Sequence, residues 1–183
     1  MAKKTTPKEF TEEPRSDWNS EKETCIFLGQ LAKNIGAKAI LEIGVFEGET
    51  SQELINALPK DGYYLGIDIK EYRTKETKAV FENAKGKTVD FVLANSLQHL
   101  KKLPAKHFDL IFIDGNHDYT HLIEEFKLVE RVIADGGIIA FHDSRHIADV
   151  KRVFDYALTF NYEGINLNTP EGRGLGLIQK KLK

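Results

Sequence analysis

Residues 39–48 read AILEIGVFEG, and this stretch decides the fold of the chain. Its first five residues form a short, mainly apolar run that ends at a glycine, which is typical of a strand buried on both faces of a sheet. Gly44 and Gly48 then bound a short loop, and a helical pattern begins after them. The stretch therefore predicts a strand, a tight loop and a helix, which is the repeating unit of an open α/β sheet.

The same alternation of strands and helices continues along the rest of the chain. A first helix is expected before the sheet, because Ser20 and Glu23 have the spacing of a capping box and Gly36 supplies a stop. The fold class is thus α/β, with a doubly wound, seven-stranded, mostly parallel sheet that ends in an antiparallel hairpin. Further helices are predicted near 49–58, 75–84, 97–102, 119–133 and 147–158, and strands at 39–43, 63–68, 88–94, 108–113, 137–141, 162–167 and 175–179.

Length and composition restrict what this fold can carry. The 183 residues suffice for one domain, predicted at 18–183, and the short, charged segment 1–17 reads as a flexible arm. A net charge of -2 and a hydrophobic share of 41% predict a globular protein that binds neither nucleic acid nor a membrane. Cys25 is the only cysteine and the first residues are polar, so we expect a cytoplasmic protein without an intrachain disulfide.

The glycine loop is the first candidate binding site. Ligands of open α/β sheets bind beyond the carboxyl ends of the strands, and Gly44 and Gly48 would let a ligand approach the backbone, although packing alone also explains such glycines. Glu42, Glu47 and Glu49 surround the loop and would repel a pyrophosphate. A cationic ligand such as S-adenosylmethionine, with its sulfonium and ammonium groups, fits this loop better, although Glu49 is also explained by the positive end of the helix.

Polar residues at the next two strand ends extend this site. Asp68 follows Gly44 by 24 residues, a spacing at which an acid binds ribose hydroxyls, although it could only cap a loop. Asn95 and Ser96 could meet an adenine edge or cap a helix. The predicted cofactor contacts are Glu42, Gly44, Phe46, Gly48, Asp68, Asn95, Ser96 and Asp114.

A second cluster of polar residues follows the fourth and fifth strands. Asp114 and Asp143 could bind one divalent cation, with His142 or His117 as a further ligand. Such a cation would lower the pKa of a substrate hydroxyl, and His117 is the candidate general base. Loop capping is the alternative for the two aspartates. The predicted catalytic residues are therefore Asp114 and His117, and the predicted metal ligands are Asp114, His142 and Asp143.

With these residues in view, the sequence resembles the class I S-adenosylmethionine-dependent methyltransferases. The pattern ExGxxxG at 42–48 is similar to their first motif, and Asp68 is similar to their second-strand acid. The patterns IDGxHxY at 113–119 and GGxIxxHD at 136–143 resemble a small subfamily related to the catechol-type O-methyltransferases. The resemblance implies a Rossmann-like methyltransferase fold, cofactor contact at Glu42, Gly44, Asp68 and Asn95-Ser96, and magnesium at Asp114 and Asp143.

The chain also departs from that subfamily. His117 stands where the catechol-type enzymes have a lysine, and His142 precedes Asp143 where they have an Asp-Asn or Asp-Asp pair. A metal with nitrogen ligands, or no metal, therefore stays open. Asn95 stands where an acid is common at the adenine position, which could change the affinity for the cofactor without changing its identity.

These observations predict transfer of a methyl group from S-adenosylmethionine to a hydroxyl of a small molecule. In this hypothesis His117 removes the proton and Mg²⁺ or another divalent cation positions the oxygen. A nucleotide-dependent dehydrogenase is disfavoured by the acidic loop and by the missing GxGxxG pattern. A non-catalytic module that only binds S-adenosylmethionine is the third reading. The identity of the acceptor and the formation of a homodimer stay open.

Overall fold

The computed structural model describes residues 19–181, so the predicted arm 1–17 lies outside the described residues. The predicted order of strands and helices is confirmed, and most bounds agree within two residues. The helices are α1 Lys22–Asn34, α2 Glu49–Ala57, α3 Lys75–Glu82, α4 Ser96–Leu100, α5 Tyr119–Val132 and α6 Ala148–Ala157. The strands are β1 Ala39–Ile43, β2 Tyr63–Asp68, β3 Thr88–Leu93, β4 Phe108–Ile113, β5 Ile133–His142, β6 Tyr162–Leu167 and β7 Leu175–Lys180.

The strands form one seven-stranded sheet in the order β3-β2-β1-β4-β5-β7-β6. The pairs from β3 to β5 are parallel, whereas β7 runs antiparallel to both β5 and β6. This arrangement confirms the doubly wound fold and its terminal hairpin. The strand order reverses between β1 and β4, which is where such folds bind their ligands.

Side chains from both faces of the sheet build two cores, one under each layer of helices. In β1, Leu41 and Ile43 pack into one core, whereas Ile40 packs into the other. All five residues of β1, including Glu42, are buried, as the mainly apolar run predicted. No helix of the described chain is long and apolar enough to cross a membrane.

Two predicted details are wrong. Strand β5 begins at Ile133 rather than 137, because its pairing with β4 shifts register between Phe108 and Leu110 and leaves extra residues around Gly136. The capping box at Ser20 does not form, since α1 begins at Lys22 and has no side-chain cap. The hydroxyl of Ser20 donates to Asp114 instead, and this contact belongs to the candidate site.

Candidate active site

The glycine loop lies directly against the loop that follows β4. Gly44 has a left-handed φ of 86°, and a Cβ there would lie 2.2 Å from the carbonyl oxygen of Asp114. The amide of Asp114 donates to the carbonyl of Ile43 at 2.8 Å, which fixes the two loops side by side. A side chain at position 44 would force them apart. Gly44 therefore brings the predicted cofactor loop against the predicted metal ligand Asp114.

Asp68 holds the glycine loop from the end of β2. Its Oδ2 accepts hydrogen bonds from the amides of Val45 and Phe46, both at 2.9 Å, and its Oδ1 accepts one from the amide of Lys70 at 3.1 Å. Phe46 has a left-handed φ of 48° and packs against Tyr72, with ring centroids 5.3 Å apart. These bonds stabilise a loop conformation that a non-glycine residue seldom adopts.

Glu42 lies beneath the glycine loop and is almost completely buried. Its Oε2 accepts hydrogen bonds from the hydroxyls of Ser51, at 2.7 Å, and Tyr64. Burial raises the pKa of Glu42 to about 8, because desolvation outweighs the two hydrogen bonds and the charges of Asp114 and Asp68 add to it. Glu42 is therefore mostly protonated at neutral pH, and a cation beside it would favour its ionised form.

The end of β3 carries the predicted adenine contacts. Asn95 Oδ1 accepts a hydrogen bond from the amide of Gln98 at 3.3 Å and caps α4, which is the capping alternative left open for this residue. The hydroxyl of Ser96 lies 3.2 Å from Nε2 of His121. Both residues lie at the rim of the sheet, in line with Asp68 at the end of β2.

Two apolar side chains at this rim were missed by the sequence reasoning. Ile69 is 50% exposed directly after Asp68, and Leu93, the last residue of β3, is 55% exposed. Exposed apolar side chains at ligand-binding strand ends offer a surface for a flat ring. For Ile69, the signal in the sequence was its position directly after Asp68, the acid at the end of β2.

Asp114, His117 and Asp143 meet beyond the ends of β4 and β5. One potential ligand atom from each lies within 4.8 Å of the others, and His117 Nε2 is 3.5 Å from Asp114 Oδ1 and 3.8 Å from Asp143 Oδ2. Among the described residues, His117 Nε2 and Asp143 Oδ1 are buried without a hydrogen-bond partner. Two carboxylates and one imidazole, with one unpaired atom on His117 and one on Asp143, fit a divalent cation. We call these three residues the cation triad.

His142, predicted as a metal ligand, lies beside the cation triad with both ring nitrogens already engaged. Its Nδ1 is 3.1 Å from Asp114 Oδ1, and its Nε2 is 2.8 Å from Glu21 Oε2. Burial alone would lower the pKa of His142, but the carboxylates of Asp114, Asp143 and Glu21 raise it to about 12. His142 is therefore a cation that donates to both neighbours, and it has no free nitrogen for a metal.

The pKa values around His142 follow from the same packing of opposite charges. Burial would raise the pKa of Asp114, but the positive charge of His142, its hydrogen bond and the nearby imidazole of His117 hold it well below its usual range. Burial would lower the pKa of His117, yet the carboxylates of Asp114 and Asp143 raise it. The shifts in the pKa of Asp114 and of the two histidines thus have one cause, the packing of imidazoles against carboxylates.

The sequence reasoning missed the contribution of the segment before α1. Ser20 Oγ donates to Asp114 Oδ2 at 2.8 Å, and Asn19 Nδ2 donates to Glu47 Oε2 at 3.0 Å. Asn19 and Ser20 line one small cavity together with Glu42, Gly44 and Asp114. These contacts join residues 28 and 94 positions apart, so no local pattern signalled them.

Comparisons with known proteins agree with this geometry. Residues 41–144, which hold every predicted site residue, match a family described as a methyltransferase domain. Tapetum-specific methyltransferase 1 of Arabidopsis thaliana is 30% identical over 124 residues, which are 65% of this chain and 52% of that protein. Caffeoyl-CoA O-methyltransferase 2 of Zea mays is 31% identical over 124 residues, 64% of this chain and 46% of that protein. The chain thus spans about half the length of these relatives.

A solved structure shows the same fold. The O-methyltransferase TomG from Streptomyces achromogenes, involved in tomaymycin synthesis and crystallised with S-adenosylmethionine, superposes with a TM-score of 0.77 at 21% sequence identity. The superposition covers 91% of this chain and 83% of TomG. The two proteins therefore share the fold over most of this chain.

Proposed function

The chain belongs to the methyltransferase domain family, and we propose on that premise that it transfers a methyl group from S-adenosylmethionine to a hydroxyl of a small molecule. One observation carries the proposal. The backbone of Gly44 lies against that of Asp114, so the loop for the methyl donor and the cation triad share one rim of the sheet. A donor and an acceptor bound on either side of this contact would lie close enough to react.

On the donor side, the glycine loop and the ends of β2 and β3 surround the cofactor. Glu42 and Glu47 favour its positive groups, and Glu42 lies deepest. Asp68 holds the loop and offers its carboxylate to the ribose, while Ile69 provides an apolar surface for the adenine. We propose the predicted set Glu42, Gly44, Phe46, Gly48, Asp68, Asn95, Ser96 and Asp114, with Ile69 added, as the cofactor contacts.

On the acceptor side, Asp114, His117 and Asp143 would hold a divalent cation. When bound there, such a cation would lower the pKa of the acceptor hydroxyl and fix its orientation. His117 Nε2 is buried and points at the two carboxylates, so the same nitrogen cannot bind the cation and accept the proton at once. We therefore propose that His117 is a ligand in the cation-loaded chain, whereas His142 supports the cation triad from behind.

A titration of the full chain with S-adenosylmethionine, followed by calorimetry with and without Mg²⁺, Mn²⁺ or Zn²⁺, tests this proposal. We expect binding of the cofactor in each case, and transfer of a labelled methyl group to a hydroxyl compound only with a divalent cation. Binding of a nicotinamide dinucleotide in place of S-adenosylmethionine would favour the dehydrogenase. A non-catalytic module would bind the cofactor, keep that binding in Asp114→Ala and His117→Ala, and methylate no acceptor.

The acceptor is a small molecule in this proposal. We further propose a cytoplasmic location, which the single cysteine supports.

A further inference from the structure

We propose that Glu21, the residue directly before α1, is a positioning residue for the cation triad and acts on Asp114 through His142. The proposal rests on the proposed function, because it concerns the cation of that same site. Glu21 and its partner Thr169 both lie outside residues 41–144, the range that matches the methyltransferase domain. The family match therefore assigns neither of them a role.

A continuous line of hydrogen bonds joins Glu21 to the cation triad. Glu21 Oε2 accepts from His142 Nε2 at 2.8 Å, and His142 Nδ1 donates to Asp114 Oδ1 at 3.1 Å. The other oxygen, Oε1, accepts from the hydroxyl of Thr169 at 2.6 Å. Glu21 is 4% exposed and His142 is 1% exposed, so water does not compete for these bonds. The imidazole ring is thus fixed between two carboxylates, one of which belongs to the cation triad.

Glu21 does not cap the helix that it precedes. It is the N-cap residue of α1, a position at which short side chains such as Ser or Asp accept hydrogen bonds from the first free amides of the helix. Glu21 makes no such bond, and its carboxylate instead accepts from Thr24 Oγ1 at 3.1 Å and from His142 and Thr169. Burying a carboxylate costs free energy, and here these three donors offset that cost. Two of the three donors, His142 and Thr169, lie outside α1, so the site contributes most of the contacts that orient this side chain.

The hydrogen bonds from Glu21 through His142 to Asp114 should affect the affinity of the site for a cation. A metal ligand is held in its binding orientation by the groups behind it, and loss of such a group weakens metal binding by roughly tenfold to a hundredfold. Without the negative charge of the Glu21 carboxylate, the hydrogen bond to His142 Nε2 is weaker, and the ring holds Asp114 Oδ1 less firmly in its orientation. A merely structural Glu21 would act differently, because it would only fasten α1 to the loop around Thr169.

The test measures cation affinity in the full chain, with Mn²⁺ as the probe and electron paramagnetic resonance as the readout, at saturating S-adenosylmethionine. We expect Glu21→Gln to weaken Mn²⁺ binding by roughly tenfold to a hundredfold. Glu23→Gln, the same chemical change at an exposed position two residues further on, should leave the affinity unchanged. Half-saturation of methyl transfer by Mn²⁺ should shift in parallel, while kcat at saturating Mn²⁺ recovers.

A second variant guards against a folding defect, which circular dichroism would detect. Thr169→Val removes the bond to Oε1 but keeps the carboxylate facing His142, so we expect a smaller loss of Mn²⁺ affinity than in Glu21→Gln. If wild type binds Mn²⁺ and both variants bind it equally well, the positioning role is overturned while the proposed function stands. If wild type binds no divalent cation, the cation-assisted part of the proposed function fails and this proposal fails with it.

Discussion

At the scale of single residues, the site combines buried charges with backbone contacts that leave no space for a side chain. Asp114 shows both features, since its carboxylate faces two histidines and its carbonyl lies against Gly44. Substitutions at these positions separate the two effects.

The buried carboxyl of Glu42 predicts a pH-dependent stability. Burial raises the pKa of Glu42 from 4.5 to about 8. The stability that its carboxyl group contributes is therefore fully present below pH 4.5 and is lost as the pH rises towards 8. Glu42→Gln keeps the shape without the titration. Between pH 5 and 8, the free energy of unfolding of the variant, relative to that of wild type, should increase by up to about 1.4 kcal/mol per pH unit. Urea unfolding at several pH values measures this difference, and parallel curves would contradict the buried, protonated state.

A side chain at position 44 should destabilise the fold by a steric clash, in addition to the cost of the left-handed backbone conformation. Gly44→Ala places a Cβ against the carbonyl oxygen of Asp114, whereas Gly36→Ala has a similar left-handed φ of 66° but no atom within 4 Å of the added Cβ. We expect Gly36→Ala to cost about 1–2 kcal/mol from conformation alone, and Gly44→Ala about 1–3 kcal/mol more. Chemical denaturation gives both values, and equal losses would mean that the two loops separate freely.

Substitution of His117 distinguishes a ligand of the cation from a general base. If Nε2 is a ligand, His117→Ala should weaken Mn²⁺ binding by at least about tenfold, since a tenfold change corresponds to only about 1.4 kcal/mol. His146→Ala, at an exposed histidine in the neighbouring loop, serves as the control. A His117→Ala variant that binds Mn²⁺ normally but transfers no methyl group would indicate a base instead.

The strand-end residues of the site could be predicted from sequence, but their supporting contacts could not. Asp114, His117 and Asp143 follow predicted strands, and the ends of neighbouring parallel strands must meet. Glu21 lies 121 residues from His142, and their contact depends on how α1 packs on the sheet. In the same packing, both ring nitrogens of His142 contact carboxylates. The motif alone had indicated that His142 could bind a metal.

At the scale of elements, helix α5 carries an acidic side chain that is fully buried. Glu125 is 0% exposed and, among the described residues, neither of its oxygens has a hydrogen-bond partner; His121 Nε2 lies 3.5 Å from Oε1. A buried carboxylate without hydrogen bonds destabilises the fold unless a nearby charge offsets it.

We therefore expect Glu125→Met to raise the free energy of unfolding by about 1–3 kcal/mol. Glu124→Met changes the adjacent exposed residue in the same way and should shift it by less than about 0.5 kcal/mol. Urea denaturation of both variants provides the comparison. A loss of stability in Glu125→Met would instead indicate that the pair with His121 outweighs the cost of burial.

Element bounds were predictable where they depend on local chemistry. Helix α5 begins where Asp118 caps it, and the amide of His121 donates to that carboxylate at 3.1 Å. The start of β5 was not predictable, because the shift in its register depends on β4, more than twenty residues earlier in the sequence. Local patterns identify elements, whereas pairing partners determine where irregular strands begin.

At the scale of the whole molecule, the alternation of strands and helices was enough to predict the sheet and the rim that carries the site. The contact between the two ends of the described chain was not predictable. Glu21 binds Thr169, and Arg173 donates to the carbonyl of Asn19 at 3.3 Å, across 148 and 154 residues. Such contacts form only once the core has brought distant segments together.

The position of β7 also affects how the protein is made. This strand follows β6 in the chain but lies between β5 and β6 in the sheet. During synthesis, β5 therefore keeps an unpaired edge until almost all described residues have left the ribosome, and an exposed edge readily pairs with another chain. A chain interrupted before residue 175 would keep most of the residues of the proposed site but would lack the strand that closes its sheet, so a stalled translation product would aggregate rather than work.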